Sequence, residues 1–72
     1  MSVRNCSNEN GNANFKIEFE DGTHKVIGYR VRGYCRSTDE LLNILFGINE
    51  YDEAIKSFDD FCTNVLHEPK YF

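Results

Sequence analysis

Two kinds of apolar segment are missing from this sequence. No run of apolar residues is long enough to cross a bilayer, and the opening residues, MSVRNCSNENGNAN, lack the apolar core of a secretory signal. Both absences argue against a membrane partner and against secretion. We therefore expect a cytoplasmic protein.

Cysteine is sparse and widely spaced. Cys6, Cys35 and Cys62 are odd in number and fit neither a C-x-x-C nor a zinc-finger pattern, so the sequence predicts no disulfide framework and no metal site. We expect a reactive Cys6 and two inert core thiols. A chain of 72 residues makes one small domain, which buries only about 60% of the surface that its unfolded chain exposes. Because neither disulfides nor a metal are indicated as stabilisers, we expect a homodimer.

Motifs for catalysis are also missing. The sequence has no glycine-rich phosphate loop, no H-E-x-x-H and no calcium loop of the D-x-D-x-D-G kind. Asp59 and Asp60 are adjacent on a predicted helix, so their side chains diverge by about 100° and cannot share one site as a general acid and base. We predict a protein that is not an enzyme and has no cofactor.

The start of the chain has a composition typical of disorder. Residues 1–13 contain several Asn, Ser and Gly but almost no apolar side chains, and such a segment cannot offset the entropy of its own ordering. From Asn14 onwards, apolar and polar residues alternate. We predict a disordered Asn-rich tail over 1–13 and a single domain over 14–72.

A β-hairpin is predicted at the start of this domain. Phe15, Ile17 and Phe19 alternate with charged residues, EDGT gives a turn, and a second strand follows over 23–34. A two-residue loop would send the apolar residues of the two strands to opposite faces. A three-residue loop, with Gly22 at a positive φ, keeps them together. We predict this second register, which gives one face the residues Phe15, Ile17, Phe19, Ile27, Tyr29 and Val31.

Glycine is unusual inside a strand, because it weakens the strand and offers no side chain to pack. Gly28 and Gly33 both lie within the second predicted strand. We expect them to mark a bulge or a close approach of another group to the backbone.

Two helices are predicted after the hairpin. Ser37-Thr38-Asp39-Glu40 matches the capping box S-x-x-E, and the apolar residues that follow would form a helix ending near Gly47. Asn49 is a suitable cap for a second helix, which Pro69 would end. Its apolar stripe contains Ala54, Ile55, Phe58, Phe61, Cys62, Val65 and Leu66. The predicted fold is α+β: a β-hairpin followed by a helical hairpin (ββαα), with both helices packed on one face of the two strands.

One stretch of this chain is basic, although the whole chain has 12 acidic and only 8 basic residues. The segment from His24 to Arg36 contains four basic residues and no acidic one. Alternation places its polar residues opposite the apolar face, where a guanidinium could clamp carboxylates of a partner protein or contact nucleic-acid phosphates. A solvated face paired with Glu18 and Glu20 is the other interpretation. The candidate partner-binding residues are Lys16, Lys25, Arg30, Arg32, Tyr34 and Arg36.

The second half of the chain is acidic, with eight acidic residues and one lysine between Ser37 and Glu68. Three interpretations are open: a solvated helix surface, an imitation of nucleic-acid phosphates, or head-to-tail assembly with the basic strand. The candidate acidic surface comprises Asp52, Glu53, Asp59 and Asp60.

Composition and motifs together favour a binding function. We predict a small protein-binding regulator or inhibitor of a larger macromolecule, similar in kind to the accessory proteins that phages and mobile elements encode. The alternative is a nucleic-acid-binding protein that uses the basic strand, with weak and salt-dependent affinity. Tyr71 and Phe72 are expected to pack on the core or at a dimer interface.

Overall fold

The computed structural model describes residues 3–19 and 26–68. Within these residues the chain forms four strands and one helix. The strands are β1 (Val3–Asn8), β2 (Gly11–Phe19), β3 (Val26–Cys35) and β4 (Glu40–Gly47), which form an antiparallel meander in the order β1-β2-β3-β4. The α-helix α1 (Tyr51–Asp60) continues directly into a π-helical segment (Phe61–Val65), giving one helix of 15 residues. We call the sheet face that the helix covers the inner face and the opposite one the outer face.

The predicted ββαα arrangement is wrong, although the α+β class is right, because the fold is ββββα. The first difference lies at residues 3–13, which form β1 and the start of β2 instead of a disordered tail. Small apolar residues make this possible: Cys6 pairs with Ala13, and both are buried on the inner face. The Asn8 side chain adds a hydrogen bond from its Nδ2 to the Leu66 carbonyl, which ties β1 to the end of the helix.

The second difference is that the predicted first helix is strand β4. A short apolar run is compatible with either a strand or a buried helix, so its periodicity could not decide between them. The capping box does not form: Ser37 contacts the Cys35 thiol at 3.3 Å, and Asp39 turns the chain with a φ of 58°. Strand β4 forms backbone hydrogen bonds with the edge of β3 that β2 does not use. Its alternate apolar residues point inward, namely Leu42, Ile44 and Phe46.

The predicted common face of the central hairpin is confirmed for Phe15, Ile17, Tyr29 and Val31, but the predicted register is wrong, because a three-residue loop would pair Phe15 with Tyr29. Phe15 lies opposite Val31 and Ile17 lies opposite Tyr29, all on the inner face. A bulge next to Gly28 then shifts the pairing. Ile27 is therefore 53% exposed, and the prediction that it lies on the buried face is wrong. The turn with Gly22 lies outside the described residues.

The predicted second helix is present, and its apolar stripe faces the sheet. Its cap is Glu50 rather than Asn49, and the Glu50 carboxylate accepts a hydrogen bond from the Gly47 amide at 2.7 Å. The helix ends before Pro69, which lies outside the described residues. Among residues 3–19 and 26–68, no helix is long and apolar enough to span a membrane.

The core lies between the helix and the inner face, and aromatic rings form its centre. Phe15 stacks on Tyr29 with the ring centroids 5.9 Å apart and contacts Phe58 at 6.3 Å. Tyr51, at the start of α1, meets Phe15 and Tyr29 edge-on. The Arg4 guanidinium lies 5.8 Å from the centre of the Phe15 ring, so β1 also contacts this cluster. The rings therefore fix α1 against three neighbouring elements.

Gly33 is a point of close approach between the sheet and the helix, as the sequence predicts. A Cβ atom at this position would lie 2.6 Å from Cε2 of Phe61. We expect Gly33→Ala to lower the free energy of unfolding by about 1–3 kcal/mol, because the buried Phe61 ring would have to move. Urea denaturation checks this, with Gly47→Ala as the control, since a Cβ there meets only the Glu50 side chain at 3.2 Å. Equal losses in both variants would contradict the close approach.

Candidate functional site

The outer face presents an ordered array of side chains on β2, β3 and β4. Strand register fixes their neighbours, because directly opposite residues in an antiparallel sheet point to the same face. No described element packs over this face, and Tyr34, Leu41 and Leu45 on it are 40%, 76% and 59% exposed. The three rows across the strands are Asn12–Tyr34–Leu41, Asn14–Arg32–Asn43 and Lys16–Arg30–Leu45.

The charges of these three rows all have one sign. Lys16 lies directly opposite Arg30, and Arg32 is the next outward residue along β3. A solvated sheet face gains stability from opposite charges in opposing positions, whereas like charges in such positions are destabilising. None of the three rows contains an acidic residue. Of these three cations, Arg32 is exposed, whereas Lys16 and Arg30 are half-buried.

The solvated interpretation, in which Glu18 and Glu20 pair with this face, stays a prediction. The register partner of Glu18 is Gly28, and Glu20 lies outside the described residues.

Three asparagines surround Arg32 and Tyr34, and sequence reasoning missed them. A shallow cavity of about 250 Å³ lies in the middle of the outer face. Side-chain amides both donate and accept hydrogen bonds, so they suit carboxylates, peptide groups and nucleobases alike. The available signal was the alternation in β2, which the assignment of residues 1–13 to a tail concealed. The polar lining of the cavity comprises Asn12, Asn14, Arg32, Tyr34 and Asn43.

The remaining basic candidates lie elsewhere. Arg36 follows β3, where its guanidinium donates to the Glu9 carbonyl and its amide donates to the Asn10 carbonyl. These bonds join the end of β3 to the β1–β2 turn, so Arg36 supports the sheet from its end and is not part of the outer face. Lys25 lies outside the described residues, as does His24.

The candidate acidic surface lies on the helix, on the other side of the sheet from the outer face. Asp52 and Glu53 are exposed in the first turn of α1, where the helix dipole favours anions. Asp60 forms an exposed ion pair with Lys56 at 3.4 Å, and Asp59 is half-buried. Among the described residues, the three rows of the outer face are thus basic and the helix surface is acidic.

All three cysteines are buried free thiols. The prediction that Cys6 is reactive is wrong, because this residue is 0% exposed and lies on the inner face of β1. Burial raises the pKa of the Cys6 thiol, while a hydrogen bond with the Ser37 hydroxyl lowers the pKa of the Cys35 thiol. Within the described residues, no group of three or more metal-ligating side chains could hold a metal ion.

This burial has a measurable consequence. In the folded protein, none of the three thiols should react with a thiol reagent such as DTNB before the chain opens, because the reagent cannot reach them. In denaturing urea all three should react at once. Rapid modification of one thiol in the folded protein would show that its strand or helix is not packed as described.

Comparison with protein-family models, with curated proteins and with solved structures gave no significant match. The function is therefore argued from the outer face itself.

Proposed function

We propose that this protein is a non-enzymatic regulator or inhibitor that binds an acidic surface of a larger protein through its outer face. The observation that carries the proposal is Arg32, which is exposed between Asn14 and Asn43 in the cavity of the outer face. A carboxylate of the partner would accept two hydrogen bonds from the guanidinium fork of Arg32 and further ones from the neighbouring amides.

The surroundings of these cations favour a protein partner. Exposed Tyr34, Leu41 and Leu45 provide apolar area beside the charges, and arginine and tyrosine are both enriched among the residues that dominate protein interfaces. The amides of Asn14 and Asn43 flank Arg32 and can bind peptide groups of a partner. The outer face thus combines a charged centre with an apolar margin.

Nucleic acid is the second candidate partner of the same face. Tyr34 is 40% exposed between Asn12 and Leu41, where a base could stack on its ring. Three cations would neutralise few phosphates, and the formal net charge of −4 opposes approach to a polyanion. Binding of this kind would be weak and would fall steeply with salt, so we rank it second.

The acidic helix surface has no comparable feature. Asp52 and Glu53 stabilise the start of α1 through the helix dipole, and Asp60 is paired with Lys56. We interpret this surface as solvated. Its negative charge also repels acidic partners from the helix side.

We place this activity in the cytoplasm, where buried free thiols stay reduced. Small size, acidity and the lack of catalytic motifs are shared with accessory proteins of phages and mobile elements, which supports a role as an inhibitor.

Capture from lysate of the source cells tests the proposal. Tagged wild type is compared with Arg32→Glu and with Lys56→Glu, which changes the net charge equally but lies on the helix, with a side chain that is 76% exposed. We expect a stoichiometric protein that resists nuclease treatment and is lost with Arg32→Glu but retained with Lys56→Glu. Recovery that nuclease abolishes would support the nucleic-acid candidate, and equal recovery by all three baits would exclude the outer face.

A further inference from the structure

Strand β4 is a free edge of the sheet with an unusual composition. Among the described residues it pairs only with β3, which leaves the backbone groups of its other side without a strand partner. Its sequence, ELLNILFG, contains one charged residue at its start and no proline or lysine. Proteins usually protect a free edge with such residues, and an apolar edge without them is a site for pairing with another chain.

The other edge of the sheet is different. Strand β1, with the sequence VRNCSN, is polar and carries Arg4. The exposed apolar side chains are concentrated on β4 and just after it: Leu41 at 76%, Leu45 at 59%, Ile48 at 48% and Ile44 at 40%. Edge pairing is therefore expected at β4 and not at β1.

We propose that β4 pairs antiparallel with β4 of a second copy of this chain, around a twofold axis that passes through Asn43. Residues directly opposite each other must share a face, so a symmetric pair of this kind has to centre on a residue. Only Asn43 and Ile44 lie near enough to the middle of β4 to pair most of the strand.

The side chains distinguish these two centres. With the axis at Asn43, Leu41 faces Leu45 of the other copy on the outer face, and Leu42 faces Ile44 on the inner face. With the axis at Ile44, Leu41 would face a glycine and Asn43 would face a leucine. Both centres place apolar residues opposite each other on the inner face, where the first also places Glu40 opposite Phe46. Only the first centre does so on the outer face.

The residue on the axis also suits its position. Asn43 meets the Asn43 of the other copy, and two side-chain amides can each donate to and accept from the other. A single polar residue within an apolar contact penalises every other register, because it would then lie opposite an apolar side chain. Asn43 thereby favours the register centred on itself over all other registers.

The dimer extends the proposed binding face. A twofold axis perpendicular to the sheet keeps both outer faces on the same side, so Arg30 and Arg32 of each copy belong to one eight-stranded surface. Three strand spacings, about 14 Å in all, separate the two copies of β3. This consequence rests on the proposed function, whereas the dimer itself does not. A partner would meet two sets of cations at a fixed separation.

Sedimentation of the full chain tests the pairing without any partner, so its outcome is independent of the binding proposal. One variant carries Leu41→Lys and Leu45→Lys, and the other carries Leu41→Glu and Leu45→Glu. Each variant places like charges opposite each other across the twofold axis, whereas a mixed dimer places opposite charges there. We expect a wild-type dimer, at least tenfold weaker self-association of each variant, and recovery of the dimer when the two variants are mixed.

Three further variants complete the test. Val3→Lys with Ile27→Lys changes exposed apolar residues away from β4 and should leave the dimer intact. Asn43→Cys should form a covalent dimer with oxidised glutathione, whereas Ser7→Cys on the outer face of β1 should not, even if the leucine variants fail to fold. A wild type that stays monomeric at about 100 µM, a concentration well above the dissociation constants of typical dimers, would overturn the proposal. Equal cross-linking of the two cysteine variants would overturn it as well.

Discussion

Replacing Phe58 with alanine should remove about 3–5 kcal/mol from the free energy of unfolding, the cost typical of truncating a fully buried aromatic residue. Phe58 is 0% exposed, and its ring lies 6.3 Å from that of Phe15, so no neighbour can fill the space without leaving its own contacts. Single domains have a total stability of about 5–15 kcal/mol, and small ones lie near the lower end. We therefore expect a large unfolded fraction of this variant in water.

Urea denaturation followed by circular dichroism measures this loss, and Tyr34→Ala is the matched control. Tyr34 is also aromatic, but it is 40% exposed on the outer face. We expect its truncation to change the stability by less than about 1 kcal/mol, as is usual for surface substitutions. Similar losses in the two variants would mean that the helix does not cover the inner face.

Reversing Arg30 and Arg32 together to glutamate should weaken binding of the captured partner by about a hundredfold or more. Removing one member of a desolvated charge pair costs about 2–5 kcal/mol, and each factor of ten in affinity corresponds to about 1.4 kcal/mol. The new carboxylates would in addition repel an acidic partner. Titration calorimetry at two salt concentrations measures both the loss and its electrostatic part.

The control for this reversal lies on the helix. Asp52→Asn with Glu53→Gln removes two exposed charges from the acidic surface and should leave the affinity unchanged. Loss of binding with this variant and not with the arginine variant would identify the acidic surface as the binding site. Circular dichroism of both variants should match that of the wild type.

The central hairpin and the helix could be predicted from the sequence because their periodicities are clear. Alternation from Phe15 and from Tyr29 gave the correct inner face, and the stripe through Phe58 gave the correct buried side of the helix. These signals are local. They depend only on which side of one element faces the core.

The edges of the sheet could not be predicted in the same way, because long-range pairing decides them. The segment 40–47 carries an apolar run that suits a helix, yet it becomes a strand because β3 offers it a partner. Residues 3–13 have few apolar side chains, but Cys6 and Ala13 suffice when the helix end covers them. Contacts of this kind leave no periodic trace in the sequence.

The candidate site shows the same division. The outward positions of Lys16, Arg30, Arg32 and Tyr34 follow from alternation alone. The asparagines beside them were missed because Asn12 was assigned to the tail, Asn14 was the first residue of the predicted domain, and Asn43 was assigned to a helix. Their contribution to the outer face depends on β4 and on the full length of β2.

The central claim is that the outer face binds carboxylates, and an NMR titration tests it most directly. The ¹⁵N-labelled full chain is titrated with a decaglutamate peptide, and backbone and side-chain amide shifts are followed. We predict shifts confined to β2, β3 and the outward residues of β4, centred on Lys16, Arg30 and Arg32 and suppressed by salt. Shifts centred on the helix over 51–65, or none up to millimolar peptide, would contradict the account.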